Sequence, residues 1–213
     1  MRTFTNKQLA LMGAGAAGVL LLLYKVAKAG PSGPQAMSQG DPCYPDPKWM
    51  PATCDSGPRM AQGIRWIVLH STEGDTIDGA VGTFRAPGAP GSTQVVAGDT
   101  GCVRMLSDLT IPCGAQGANV QGLHIELTGH AAWTREQWLA HMATLVCAAK
   151  VVADWCVTYG IPAVYLDAAA LKDPSSRGIT THVTVNEAFK YGSHWDPGPN
   201  FPMDVFLSLV NGT

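Results

Sequence analysis

The chain has 213 residues, 46% hydrophobic and only 14% charged, with a net charge of -2. That balance gives no electrostatic footprint for a nucleic-acid partner. The 24 glycines and 15 prolines stand beside six tryptophans and many aliphatics, which describes a loop-rich globular domain and excludes a disordered chain.

Arg2 and Lys7 precede an apolar run over residues 9–24, and Lys25 and Lys28 follow it. As a helix the run rises about 24 Å, short of the roughly 30 Å hydrocarbon core of a bilayer. Residues 1–29 therefore suit a signal peptide or a weak membrane anchor. Ala27-Lys28-Ala29 has the small-x-small form of a cleavage site, with an unfavourable lysine inside it. Flanking basic residues and the turn cluster Gly30-Pro31-Ser32-Gly33-Pro34 argue against a buried soluble helix. About 150–170 residues remain, enough for one domain with its own core. That domain is expected outside the cytoplasm, in the periplasm or at the cell exterior, free or tethered to the membrane through residues 9–24.

Residues 30–59 read as a Pro/Gly-rich linker and wrapping loop. Asp41-Pro42-Cys43-Tyr44-Pro45-Asp46-Pro47 holds too much proline for a helix or a central strand. Six cysteines agree with an oxidising compartment. Cys43 and Cys54 bracket one short segment and Cys102 and Cys113 another, so each pair can close a small loop, and a Cys43–Cys54 bridge is expected to pin the wrap. Cys147 and Cys156 fall on one helix, about 13.5 Å apart along its axis. That exceeds the roughly 7 Å a disulfide spans between Cα atoms, so the two read as buried small hydrophobes. No C-x-x-C spacing offers a cysteine zinc site.

Residues 64–69 are β-branched and aromatic, which predicts a central strand with His70 at its C-terminal end. Residues 75–84 suit a short helix capped by Asp75 or Thr76. Residues 94–97 and 103–106, joined across Gly98-Asp99-Thr100-Gly101, suit a hairpin. Residues 111–121 read as a loop. Residues 123–127 form another strand, with Leu123, Ile125 and Leu127 on one side and His124, Glu126 and Thr128 on the other. From the pattern alone Glu126 is as well read as a solvated strand face; His124 and His130 read as polar surface. Thr134-Arg135-Glu136-Gln137 is a capping box that opens a long helix, with an apolar face through Trp138, Leu145, Val152 and Cys156 and an end at Gly160 and Pro162. His141 reads as a surface residue of that helix. Residues 163–178 are expected as loop, and residues 205–210 as a short closing helix.

Residues 178–202 hold His182, His194 and Asp196, all types that bind or serve a metal. Pro197-Gly198-Pro199 cannot continue a helix, so Asp196 heads a stiff loop. His182 and Asp196, fourteen positions apart, can supply two zinc ligands; a third must come from elsewhere, and His70 at a strand end is the best placed.

His70-Ser71-Thr72 after an apolar strand, Gly122-Leu123-His124-Ile125-Glu126-Leu127-Thr128-Gly129, and Thr181-His182 followed by His194-Trp195-Asp196-Pro197-Gly198-Pro199-Asn200-Phe201-Pro202 together resemble the type-2 N-acetylmuramoyl-L-alanine amidases. The likeness covers roughly residues 60–211. It implies an α/β fold with a central mixed β-sheet flanked by helices, shared with the peptidoglycan recognition proteins. It further implies a single catalytic domain over residues 60–213 that hydrolyses the amide between N-acetylmuramic acid and L-alanine of peptidoglycan. The metal would be Zn2+ on His70, His182 and Asp196, which leaves the open position a catalytic zinc keeps for water. On that likeness Glu126 is the base beside the metal, and His194 stabilises the oxyanion or donates a proton. Trp195 and Phe201 flank the ligand loop and are candidates to line a substrate groove, with packing of the loop an equal alternative; Thr72 and Asn200 are weaker candidates. The strand around Ser92-Thr93-Gln94 departs from the family pattern and offers no aromatic or histidine. The glycine- and alanine-rich run near Gly13 is similar to the signal-anchor-release segments of some phage lysins. The expected state is a monomer. The rival readings are a module that binds peptidoglycan without cleaving it and a membrane-tethered virion component; loss of a ligand or of Glu126 would favour the first, and neither is lost.

Overall fold

The structure, a computed structural model, describes Cys43 and residues 48–212. The expected signal or anchor segment at residues 1–29 and most of the linker lie outside the described residues.

Five strands form one sheet: β1 (Trp66–Ser71), β2 (Val95–Gly98), β3 (Gly101–Arg104), β4 (Gly122–Leu127) and β5 (Gly178–Thr181), in the order β3-β2-β4-β1-β5. β1 runs parallel to both β4 and β5, β2 runs parallel to β4, and only β3 is antiparallel. The sheet is therefore mixed, as expected. β1 and β4 are buried on both sides because both faces of the sheet are covered.

One face packs Ile67, Leu69, Leu123, Ile125 and Leu127 against the long covering helix α3 (Met142–Tyr159) and the closing helix α5 (Met203–Gly212). By composition alone α3 could cross a membrane, but half of it is buried and it is the core helix of this domain. The other face is covered in two patches. Val96 and Val103 sit under α1 (Ile77–Arg85), while Trp66 and Val68 sit under α4 (His182–Phe189). Thr76 caps α1 by accepting from Gly79 N, one of the two candidates named above.

The capping box forms as expected, with Thr134 accepting from Gln137 N and Gln137 returning the bond. The helix it opens is not continuous. α2 (Arg135–Ala140) stops at His141, whose ψ of 44° leaves the helical region, and α3 restarts one residue later. The cause is tertiary. Asp99, from the β2–β3 turn, accepts from Thr144 N at 3.1 Å and pairs with His141 Nδ1 at 2.8 Å, capping α3 from outside the helix. His141, expected as plain surface, also stacks on Trp133 at 4.5 Å. Gly160 closes α3 in the left-handed conformation.

Two elements were not expected. β5 lies where a loop and turn residues were read, and α4 occupies the segment that begins at His182. β5 is four residues long, and α4 opens with Val183, Thr184 and Val185, which have poor helix propensity. Thr181 compensates by capping α4 through Thr184 N.

The disulfides differ from expectation. Cys54 bonds Cys113, not Cys43, and Cys43 bonds Cys147. Cys102, read as a partner for Cys113, is instead buried in the core beneath α3. The wrapping segment does not fold back on itself. It runs beside β3 and the following loop, with Met50 N bonded to Arg104 O, Ser56 N to Ile111 O and Arg59 N to Leu109 O. That path brings Cys54 to Cys113 and leaves Cys43 near the start of α3. Cys147 is therefore a bridge residue rather than a small hydrophobe, and it does not bond Cys156.

Non-reducing peptide mapping should recover Cys43–Cys147 and Cys54–Cys113. The double variant Cys54→Ser/Cys113→Ser should lower unfolding free energy by about 2–4 kcal/mol in urea titration. An unchanged midpoint would show that the bridge does not hold the wrap.

Candidate metal centre

The strand register builds the site. His70 on β1 lies opposite Glu126 on β4, and Val68 lies opposite Thr180 on β5. Two residues further along, the same face of the sheet carries His70 and, just past the end of β5, His182. Because these strands are parallel, Glu126, His70 and His182 meet at one carboxyl-terminal edge, where open α/β sheets gather ligands.

Asp196 completes the group from the loop after α4. Its Oδ2 is 3.1 Å from His70 Nδ1 and its Oδ1 is 3.1 Å from His182 Nδ1. One ligand atom from each of His70, His182 and Asp196 lies within 4.8 Å of the others, and all three residues are buried. Backbone bonds hold the loop in place. Val183 N donates to Asp196 O at 3.0 Å, and Asn186 Nδ2 donates to His194 O at 2.7 Å. The loop also needs Gly198. Its φ is +89°, and a Cβ there would collide with the Ala131 carbonyl.

The remaining assigned residues take different places. Glu126 Oε1 is 4.0 Å from His70 Nδ1, and its Oε2 is buried without a hydrogen-bond partner. His194 stacks on His182 at 4.5 Å and 13°, with its own ring largely exposed at the cleft. Trp195 is half-exposed beside it. Thr72 Oγ1 donates to Gly74 O, and Asn200 Nδ2 donates to Trp133 O, so both engage backbone. Phe201 does not reach a groove. It is buried in the core with its ring against Trp138 and Phe206, and the packing alternative is the one observed.

His124 also corrects the sequence reading. It is fully buried, and its Nδ1 is 3.0 Å from His70 Nε2. Alternation had put it on the same face as Glu126, but not that the 111–121 loop covers that face. His130 keeps partial exposure and pairs with Asp75 at 2.9 Å. Glu73 was missed. It holds φ 51°, accepts from Ser71 Oγ and Ala131 N, and lines the cleft. Phe84, Pro90, Ser92, Cys113 and Gly114 line the same cleft as His70, Glu126 and Asp196.

Burial would raise the Asp196 carboxyl, but the bonds from His182 and His70 outweigh it and hold it well below the carboxylate range. Glu126 goes the other way: burial, then Asp196 and Glu73, push its carboxyl well up. Burial pulls His182 down despite its bond to Asp196, and burial with neighbouring His70 and Arg59 pulls His124 down further. Neutral imidazoles beside an ionised carboxylate are the states a metal needs. Two nitrogens and one oxygen without cysteine, next to an unpartnered buried carboxylate oxygen, fit a catalytic zinc better than a closed structural one.

Residues 60–199 match the N-acetylmuramoyl-L-alanine amidase family. The chain belongs to that family, and it is an amidase that acts on peptidoglycan. Among solved structures, the hydrolase AmiA of Staphylococcus aureus in complex with its ligand is 16% identical, with a TM-score of 0.63 over 78% of this chain and 81% of that one. A mutant endolysin from Bacillus subtilis is 13% identical, with a TM-score of 0.52 over 76% of this chain and 97% of that one. The catalytic domain of XlyA is 15% identical, with the same TM-score and coverage. These likenesses concern the fold. No curated protein matches the chain in sequence.

Gly198→Ala should force the Asp196 loop off Ala131 and lower stability by about 1–3 kcal/mol. Chemical denaturation measures this, and an unshifted midpoint would mean the loop is not seated as described.

Proposed function

We propose that the chain is a zinc-dependent N-acetylmuramoyl-L-alanine amidase that cleaves the amide between the lactyl group of N-acetylmuramic acid and L-alanine of the stem peptide. The observation that carries this reading is the convergence of His70, His182 and Asp196 with Glu126 beside them at one sheet edge. His70, His182 and Asp196 would hold the ion. Bound there, zinc would supply Lewis-acid polarisation of the scissile carbonyl and a water competent as nucleophile near neutral pH.

Glu126 is the proton carrier. Its carboxylate takes a proton from the attacking water as oxygen bonds to the carbonyl carbon. It returns that proton to the leaving nitrogen as the carbon–nitrogen bond breaks. Burial raises its carboxyl and so strengthens it as a base, and a bound cation would oppose that shift. His194, stacked on His182 and open to the cleft, offers a ring N–H to the developing oxyanion. The exposed Trp195 ring next to it offers a face for the substrate. A module that only binds the wall would have no use for Glu126 placed against the ligands.

Peptidoglycan lies outside the cytoplasmic membrane, and the two disulfides suit that oxidising side. The enzyme is proposed to act there as a monomer, as a secreted or endolysin-type lytic enzyme.

The purified protein, incubated with isolated peptidoglycan, should release new free L-alanine amino ends by mass spectrometry. These should vanish with a chelator and return with zinc. Cleavage at another bond, or turnover indifferent to chelator, would overturn the reading. His182→Ala should lose zinc by elemental analysis; full zinc content would remove it as a ligand. Glu126→Gln should retain zinc and lose about 10²–10⁴-fold in turnover. Near-wild-type hydrolysis would remove Glu126 as the base.

A further inference from the structure

His124 stands beside the cluster without belonging to it. Its ring lies nearly parallel to that of His70, at 23° and 5.1 Å, and its Nδ1 is 3.0 Å from His70 Nε2. His70 turns its other nitrogen, Nδ1, to Asp196 at 3.1 Å. The two nitrogens of His70 thus face different neighbours: one the ligand cluster, the other His124.

A neutral imidazole carries one proton. If Nδ1 gives its lone pair to a metal, the proton must sit on Nε2. Among the described residues, the acceptor that the structure places for it is His124 Nδ1. His124 must then keep its own proton on Nε2, a buried nitrogen that makes no hydrogen bond among the described residues.

The surroundings are shaped to this ring. A Cβ on Gly114 would collide with His124 Nδ1, and one on Gly122 would lie 2.9 Å from Nε2. The backbone of His124 is held on both sides as well, with its N–H donating to Gln94 Oε1 at 2.8 Å and its carbonyl accepting from Thr93 Oγ1 at 2.7 Å.

We propose that His124 is a positioning residue: it accepts the Nε2–H of His70 and so fixes the tautomer and angle at which His70 Nδ1 meets the metal. The inference rests on the zinc reading of the cluster. Metal-bound histidines ordinarily give their second N–H to a carboxylate, a carbonyl or water, and here another imidazole fills that place.

Two variants and one measurement on the unmodified protein test it. His124→Leu keeps bulk and removes the acceptor. His124→Asn puts a side-chain oxygen where Nδ1 stood. Chelator competition should show zinc affinity about 10–100-fold weaker for His124→Leu and largely restored for His124→Asn. Unchanged affinity in His124→Leu overturns the proposal. Equal losses in both variants, matched by equal losses of metal-free stability, also overturn it, since they reduce His124 to packing. Nitrogen-15 NMR of the unmodified protein needs no variant to fold. In the zinc-loaded protein it should show His70 protonated on Nε2 and His124 bare on Nδ1; a proton on His124 Nδ1 there overturns the proposal. A protein that takes up no zinc overturns the metal reading and this role with it, whereas zinc uptake with the opposite tautomers overturns this role alone.

Discussion

The Asp196 carboxylate joins parts of the chain that are far apart in sequence, one oxygen 3.1 Å from His70 on a central strand and the other 3.1 Å from His182 at the start of a helix. A buried carboxylate is costly unless it is paired, and here both oxygens are paired. The geometry therefore depends on the loop that carries Asp196. That loop is tied to α4 by Val183 N and Asn186 Nδ2, and it passes under Ala131 only because residue 198 is glycine. Ala131 is in turn held by Glu73, which follows directly on the His70 strand. The ligand loop and the first ligand strand thus brace each other through one short chain of contacts.

Two carboxylates a few ångströms from the same imidazole are driven in opposite directions. Asp196 accepts bonds from two rings and is held ionised; Glu126 has one oxygen with no partner and is pushed toward its protonated form. Groups whose environments pull their titration apart divide into separate roles. The ionised, doubly bonded one suits a ligand. The buried one with an unpartnered oxygen suits a group that must take and give back a proton.

Much of this was readable in the residues, and the failures share a cause. β1 follows from its β-branched and aromatic run, β4 from apolar alternation, the hairpin from the turn across Gly98 to Gly101, and the capping box at Thr134 from four residues of local sequence. Local pattern could also offer His70, His182 and Asp196 as a metal set, while Glu126 joined them only through the family likeness. It could not show that Asp99 caps α3 from a distant turn, nor that the wrap runs along β3 and carries Cys54 to Cys113. It could not separate Phe201 in the core from Trp195 at the surface, two aromatics in the same loop. β5 and α4 escaped because four residues and a β-branched opening turn carry little local signal, and neighbouring elements decide their state. The burial of His124 escaped because a strand's two faces look alike until the covering loop is known.

That covering loop ties the outside of the molecule to its centre. Cys113 is bonded to Cys54 in the wrap, lines the cleft, and directly precedes Gly114, which rests on His124. His124 contacts His70, and His70 contacts Asp196. A glycine at 114 leaves room for the imidazole but adds no stiffness of its own, because glycine loses the most conformational freedom on ordering. The neighbouring disulfide supplies the restraint that the glycine lacks. The Cys54–Cys113 bridge therefore restrains the loop that covers His124, the ring that contacts His70.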